Sequence, residues 1–284
     1  MRKTLCNIIA ILMLGASINA MATVKTDSIY STVLGEWVTY NVYTPASFDD
    51  SGATRYPVLY LLHGLSDTYR AWNNNAQLGE VADELLGDGK ICPMVIIMPN
   101  AGGPDTRNTW NGYFNMPSHN YEDFFFTELV PYVEAKYHIY GDKAHRAISG
   151  LSMGGGGSTV YSQKHPDMFS SCYAMSAWLD SSDNLQEAEI NKLYYVIKAV
   201  QENSAIRFVE NADEETLDKL RTIHWFFDIG DDDFLLDQSE RLHMTMRHKR
   251  IKAELRVRDG IHNWIYWKTA LYTSLPFATN HFGN

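Results

Sequence analysis

From residue 56 onward the chain alternates short continuous apolar runs with amphipathic stretches. Tyr56 to Leu62 is almost wholly apolar and ends at His63-Gly64. Pro93 to Met98, Ser171 to Met175 and His224 to Ile229 repeat that pattern, and Ala147-Ile148 before Ser149 is a shorter version. Apolar runs of this length are expected of central strands buried on both faces. Ala253 to Val257 instead alternates polar and apolar residues, which predicts an edge strand with one wet face. Between the runs, Phe125, Leu129, Tyr132 and Val133 mark a helical stripe over Phe124 to Tyr137. Further helices are predicted over Ser158 to His165, Leu236 to Arg250 and Trp264 to Leu275. Upstream, Ser28 to Val33 and Glu36 to Tyr43 flank Leu34-Gly35 as a hairpin. Alternating strands and helices predict an α/β domain with a mostly parallel sheet.

Leu179 to Thr222 breaks the alternation. It is too long for a simple connection, and Ile190, Leu193, Tyr194 and Ile197 fall at helical spacing, followed by a second helix over Asp213 to Arg221. We expect residues 179–222 to form a helical cap over the carboxyl edge of the sheet. An ordinary pair of packing helices is the other arrangement this stretch allows.

A length of 284 residues, 45% hydrophobic and 20% charged, is compatible with one globular domain. The formal net charge of −10 disfavours nucleic acid or an anionic membrane surface as a partner and is compatible with a neutral substrate. Arg2 and Lys3, the apolar run Ile8 to Leu14 and then Ala20-Met21-Ala22 have the organisation of an export signal, with cleavage expected after Ala22. Residues 23–284 would then be the catalytic domain, periplasmic or secreted. Cys92 and Cys172 remain in the mature chain; each abuts a buried strand, and both are expected to be free, buried thiols.

The strongest chemical signal is Gly150-Leu151-Ser152-Met153-Gly154, placed between a strand and a helix and followed by Gly155 to Gly157. A turn this sharp lifts the middle hydroxyl to the top of a sheet, and side chains at the flanking glycines would collide with neighbouring backbone. The helix N-terminus behind Ser152 favours negative charge there. A phosphate-binding loop would need a lysine after the glycines, and there is none. This context predicts an α/β-hydrolase fold with Ser152 as nucleophile.

A serine needs a base. His262, in Asp259-Gly260-Ile261-His262-Asn263-Trp264, lies just beyond the last predicted strand, where this architecture places it. His63 precedes the serine and is expected to support its loop. The acid should follow Ile229, where Asp231, Asp232 and Asp233 are all within reach; the alternating spacing of a calcium loop is absent. The oxyanion of a tetrahedral intermediate needs two backbone donors, expected to be the amides of Met153 and Leu65. No metal or cofactor is required, because proton transfer and oxyanion binding supply the catalysis.

Leu61-Leu62-His63-Gly64, Met98-Pro99-Asn100, Gly150 to Gly155, Gly230 with Asp233, and Gly260-Ile261-His262-Asn263-Trp264 together resemble the esterase family typified by esterase D. That family includes feruloyl and acetyl-xylan esterases of the first carbohydrate-esterase family, S-formylglutathione hydrolases and mycobacterial mycolyltransferases. The resemblance runs from about Ser28 to Phe277. It implies that Asp233 is the triad acid and supports Leu65 and Met153 as oxyanion donors. Ile261 and Asn263 depart from the family's usual glycine and aspartate around the histidine, which leaves the base in place but loosens inferences about substrate.

Export points away from a cytosolic S-formylglutathione hydrolase and toward feruloyl or acetyl esters of plant cell-wall polysaccharide. Trp110, Tyr113, Phe114, Trp178, Trp264 and Trp267 are the aromatics near the expected site that could stack on a phenolic ring or sugar face, with core packing as the alternative for most of them; Trp110, Trp178 and Trp264 are taken as the candidates for substrate contact. Three functions remain distinguishable. These are ester hydrolysis, acyl transfer to a sugar hydroxyl as in mycolyltransferases, and a non-catalytic binding protein on the same fold. Transfer needs a long apolar acyl tunnel, which the charges Glu187, Glu189 and Lys192 do not suggest. Oligomeric state leaves no mark in the sequence.

Overall fold

The structure, a computed structural model, describes residues 23–186 and 188–283. The expected export signal lies outside the described residues, as does Glu187. The described strands are β1 (Thr23–Ser31), β2 (Glu36–Thr44), β3 (Val58–Leu62), β4 (Val95–Pro99), β5 (Asn115–Met116), β6 (His119–Asn120), β7 (Arg146–Leu151), β8 (Ser171–Met175), β9 (His224–Gly230) and β10 (Ala253–Arg258). Strands β5 and β6 form a small antiparallel ribbon. The other eight form one sheet in the order β1-β2-β4-β3-β7-β8-β9-β10. β1 and β2 are antiparallel to their neighbours, and every pairing from β4 through β10 is parallel. This is the expected α/β-hydrolase sheet. Its parallel strands all end at one edge, where the loops carrying the candidate site begin.

The apolar runs behave as expected of doubly covered strands: β3, β4 and β8 are buried at every position. Alternation across the pleat feeds two cores. Val58, Tyr60 and Leu62 enter the core on one face, and Leu59 and Leu61 enter the other. Each such Leu or Val stabilises the fold by about 1.5–3 kcal/mol on burial. β10, with its mixed burial, is the sheet's terminal strand, as its alternating sequence predicts.

The stretch expected as one helix over Phe124 to Tyr137 is divided. Tyr121–Phe124 and Val130–Lys136 are α-helical, and Phe125–Leu129 is a π-helical turn. Pro131 supplies the reason, because it has no N–H to donate and its ring would clash with the preceding turn of a regular helix; the widened turn accommodates it. The last helix continues past the expected Leu275 to Asn280.

Residues 179–222 hold the helices Lys192–Glu202, Ala205–Asn211 and Glu214–Leu220. Val196, Ala199 and Val200 of the first pack over Gly112, Phe114 and Met153 near the carboxyl edge. Ala205–Asn211 lies instead in the side layer, against the Leu236–His248 and Met153–Lys164 helices. Cys92 and Cys172 are free; Cys172 is buried, whereas Cys92 is half-buried beside Thr279 rather than fully enclosed. Burial pushes the Cys172 thiol up to about 12, against hydrogen bonds from Ser162, Ser158 and Thr159. No helix among the described residues is long and apolar enough to cross a membrane.

Candidate active site

Ser152 sits between the end of β7 and the helix Met153–Lys164, with φ 52° and ψ −118°. A non-glycine residue in that region costs on the order of 1–3 kcal/mol and persists only when its surroundings over-determine it. They do so here. The Ser152 amide donates to Met175 O at 2.9 Å, and Ser152 O accepts from the amides of Trp178 at 2.9 Å and Gly156 at 3.0 Å. A Cβ at Gly150 would lie 2.4 Å from the Gly154 carbonyl oxygen, so the tight turn requires glycine there.

His262 reaches the serine from the loop between β10 and the helix Trp264–Asn280. Its Nε2 lies 3.0 Å from Ser152 Oγ, and its Nδ1 lies 2.8 and 3.0 Å from the two oxygens of Asp233. The structure therefore brings together Ser152, His262 and, of the three consecutive aspartates, Asp233. Asp231 faces the opposite task, accepting from the Gly260 amide at 3.0 Å and so tying the acid loop to the histidine loop. Gly230 permits this approach, since a Cβ there would meet Gly260 O at 2.1 Å.

Asp233 is buried. Burial by itself would raise its pKa, but hydrogen bonds from His262, the Leu235 amide and Ser176, together with the His262 charge, hold it below the ordinary value. It therefore stays a carboxylate able to hold the imidazole with Nδ1 protonated and Nε2 facing the serine. Ser176 was not distinguished by sequence. It has φ 44°, its amide donates to Asp228 O at 2.8 Å, and its hydroxyl accepts from Trp267 Nε1 at 3.0 Å.

The expected oxyanion donors are the amides of Met153 and Leu65. Met153 is the first residue of its helix, so its amide has no intrahelical acceptor. Leu65 follows Gly64, whose missing Cβ would lie 3.6 Å from Ser152 Cβ. Among the described residues the Leu65 amide makes no backbone hydrogen bond. The loop beneath it is fixed by His63, whose Nδ1 donates to Gly64 O at 2.8 Å while Nε2 accepts from the Ala101 amide at 2.9 Å. Burial lowers the His63 pKa to about 4, which keeps the ring neutral and able to do both. Tyr113 donates to His63 O at 3.0 Å, and Trp72 donates to Leu62 O at 3.1 Å. Asn111 is fully buried and accepts from the amides of Ser66 and Gly103 at 3.1 and 3.2 Å. Nearby Asp67 is pushed up to about 6 by burial, partly offset by a hydrogen bond from the backbone at Gly64.

The six aromatics divide by position. Trp178 is half-buried and its amide holds the nucleophile's carbonyl. Trp264 packs edge-on to Trp72 and Trp267, with centroids 5.3 Å apart in each pair, and Trp267 stands 4.9 Å from His262. Tyr113, Phe114 and Trp267 are buried in the cores. Trp110 lines a groove with Trp37, Asn100 and Ala101 and stacks on His119, with centroids 5.2 Å apart. Sequence reasoning missed Phe234, which is 76% exposed and whose ring centroid lies 4.5 Å from that of His262. Its one visible signal was an apolar residue directly after the acid. Ile261 and Ile265, which flank His262 in the chain, are exposed apolar residues as well.

An eight-stranded α/β sheet with a serine, a histidine and a buried carboxylate in register at its carboxyl edge defines an α/β-hydrolase. The family described as "Putative esterase" matches residues 31–278. A solved structure of a ferulic acid esterase is 45% identical, covering 93% of this chain and 100% of that one, with a TM-score of 0.90. An endo-1,4-beta-xylanase/feruloyl esterase of Xylanibacter ruminicola is 28% identical over 183 residues, 63% of this chain and 25% of that protein. A diacylglycerol acyltransferase/mycolyltransferase of Mycobacterium leprae is 26% identical over 142 residues, 48% of this chain and 41% of that protein. The matches thus span a quarter to two fifths of the length of these two curated relatives. The fold is shared with an S-formylglutathione hydrolase of Staphylococcus aureus, at a TM-score of 0.73 and 22% identity over 91% of this chain and 99% of that one. The chain belongs to this esterase family and is a carboxylic ester hydrolase.

Proposed function

We propose that the chain is an exported serine esterase that cleaves feruloyl or acetyl esters of plant cell-wall polysaccharide through an acyl-serine intermediate. The observation that carries this reading is the continuous relay Asp233–His262–Ser152, with contacts of 2.8 and 3.0 Å, at the carboxyl edge of the sheet. Similarity to a ferulic acid esterase over nearly the whole described chain supports the acyl group. Residues 1–22 carry the proposed export.

In this reading Ser152 Oγ attacks the ester carbonyl as His262 Nε2 takes its proton. The resulting oxyanion receives the Leu65 and Met153 amides. His262 then protonates the departing sugar alcohol. Water, deprotonated by the same nitrogen, attacks the acyl-serine and releases the acid. Asp233 remains ionised throughout and stabilises the imidazolium. The exposed Phe234 beside His262, the exposed Ile261 and Ile265 that flank His262 in the chain, and the half-buried Trp178 suit a phenolic ring.

One observation favours hydrolysis over transfer of a long acyl chain. Beside Met153, Val196, Ala199 and Val200 pack against Tyr113 and Phe114 and leave a space of about 10 Å³, not an acyl tunnel. The test is incubation of the purified mature chain with methyl ferulate and p-nitrophenyl acetate, with and without trehalose as acceptor. Free acid in both cases, and fluorophosphonate labelling lost in Ser152→Ala, is the expected result. A folded chain that leaves both esters intact would overturn the reading, and acylated trehalose would turn it to transfer. Cleavage after Ala22 is checked by the mass of the exported protein.

A further inference from the structure

The hairpin β1–β2 carries two large aromatic side chains that no core uses. Tyr30 and Trp37 are directly opposed across the two strands and pack edge-to-face at 5.6 Å. They are 51% and 67% exposed. A cross-strand aromatic pair on a paired hairpin is held rigidly, so this surface is preorganised. Trp37 also forms one wall of a groove of about 280 Å³. Trp110 also lines it, fixed by stacking on buried His119 and by the Lys192 ammonium 5.2 Å from its ring centroid. Glu36, Asn100, Asn108 and Lys192 line the same groove. Aromatic rings interleaved with amide, carboxylate and ammonium groups match a pyranose or furanose ring, which has an apolar C–H face and a periphery of hydroxyls. An acyl chain or a bare phenolic ring would leave those polar groups without partners.

The sheet places this groove at the same edge as the triad. Strands β7, β3, β4 and β2 are successive neighbours, and β2 runs antiparallel, so its N-terminal residues Glu36 and Trp37 stand beside the carboxyl end of β4. Three steps of ~4.8 Å set Trp37 roughly 14 Å across the sheet from Ser152, a span of a few sugar units. The loop between is rigid, because Ala101 at the groove's floor donates to His63, which holds the oxyanion loop.

We propose that the Trp37–Trp110 groove is a carbohydrate subsite that holds the polysaccharide backbone of the substrate while its ester reaches Ser152. This rests on the proposed polysaccharide ester, and it adds the place where the sugar chain is read. The subsite contributes to affinity for the sugar portion and leaves the chemistry at Ser152 unchanged.

The test uses the mature chain carrying Ser152→Ala, titrated with unesterified xylohexaose and followed by calorimetry and tryptophan fluorescence. Binding that weakens at least fivefold when Trp37→Ala is added is the expected result. No binding at millimolar xylohexaose, or equal binding in both proteins, would overturn the subsite. In the active enzyme, Trp37→Ala should lower kcat/KM about tenfold on a feruloylated xylo-oligosaccharide, mostly through KM, and leave methyl ferulate within twofold. An equal fall on both substrates would show a structural effect and refute the proposal. Should the parent enzyme cleave neither ester, the esterase reading fails separately, and the calorimetric arm still decides whether the groove takes sugar.

Discussion

His63 Nε2 accepts the Ala101 amide at 2.9 Å and thereby couples the loop after β4 to the loop that presents Leu65. The ring is wholly enclosed and touches no reacting atom, so it acts by positioning. Loss of one oxyanion donor outright costs about 10²–10³ in kcat. His63→Ala should therefore reduce kcat by roughly tenfold to a hundredfold with KM little changed. Steady-state kinetics on p-nitrophenyl acetate check this, and a change confined to KM would contradict it.

The same ring should make stability depend on pH. Its folded-state pKa of about 4 lies below the ordinary histidine value of 6.5, so between those values the unfolded chain binds the proton and the native chain does not. The stabilisation from neutral His63 is thus present above pH ~6.5 and is lost as pH falls toward 4, by roughly 3 kcal/mol in all. Asp67, raised to about 6, acts with the opposite sign, losing stability as pH rises from about 4 to 6. Comparing urea unfolding of the parent and His63→Gln from pH 4 to 7 isolates the histidine, because Asp67 is common to both. The parent's stability should fall more steeply on acidification; parallel curves would refute the assignment.

Among the three aspartates only Asp233 should matter strongly. Asp233→Asn leaves the shape intact but favours the wrong imidazole tautomer, and kcat should drop by ~10³–10⁴. Asp231→Asn preserves an acceptor for the Gly260 amide, so its activity should stay within a few-fold. Comparable losses in both variants would mean that the loop, and not the proton relay, is what was damaged.

Gly156 has no room for a side chain. A Cβ there would come within 2.1 Å of Trp178 O, which is backbone and cannot swing aside. Gly156→Ala should destabilise by at least about 2 kcal/mol and disturb the Ser152 turn, because Gly156 and Trp178 both bond to the serine carbonyl. Thermal denaturation together with fluorophosphonate labelling rate measures both effects. An unchanged Tm would mean that the backbone can yield there.

Phe234 offers a separable test of acyl recognition. Being 76% exposed, it contributes little to folding, yet it flanks His262. Phe234→Ala should raise KM for methyl ferulate several-fold while leaving p-nitrophenyl acetate and Tm nearly unchanged. Equal KM values for the two proteins on methyl ferulate would remove Phe234 from the acyl site.

Much of this protein can be read along its chain because burial imposes local patterns. The runs at β3, β8 and β9 are apolar since both faces of those strands are covered, and Gly150 to Gly154 is glycine-flanked since the turn leaves no space for Cβ atoms. Both constraints act on neighbours in sequence. They therefore identified the sheet, the serine turn and the placement of His262 after the last strand. Tertiary structure decided what depends on residues distant in sequence. Asp231, Asp232 and Asp233 are equivalent in spacing, and only the approach of the Gly260 loop turns one of them toward His262. Trp110 stacks on His119 and shares a groove with Trp37, neighbours that its place in the sequence does not announce. Phe234, Ser176 and Asn111 left little trace in the pattern, because their roles come from partners brought together across loops, where no periodicity records the contact.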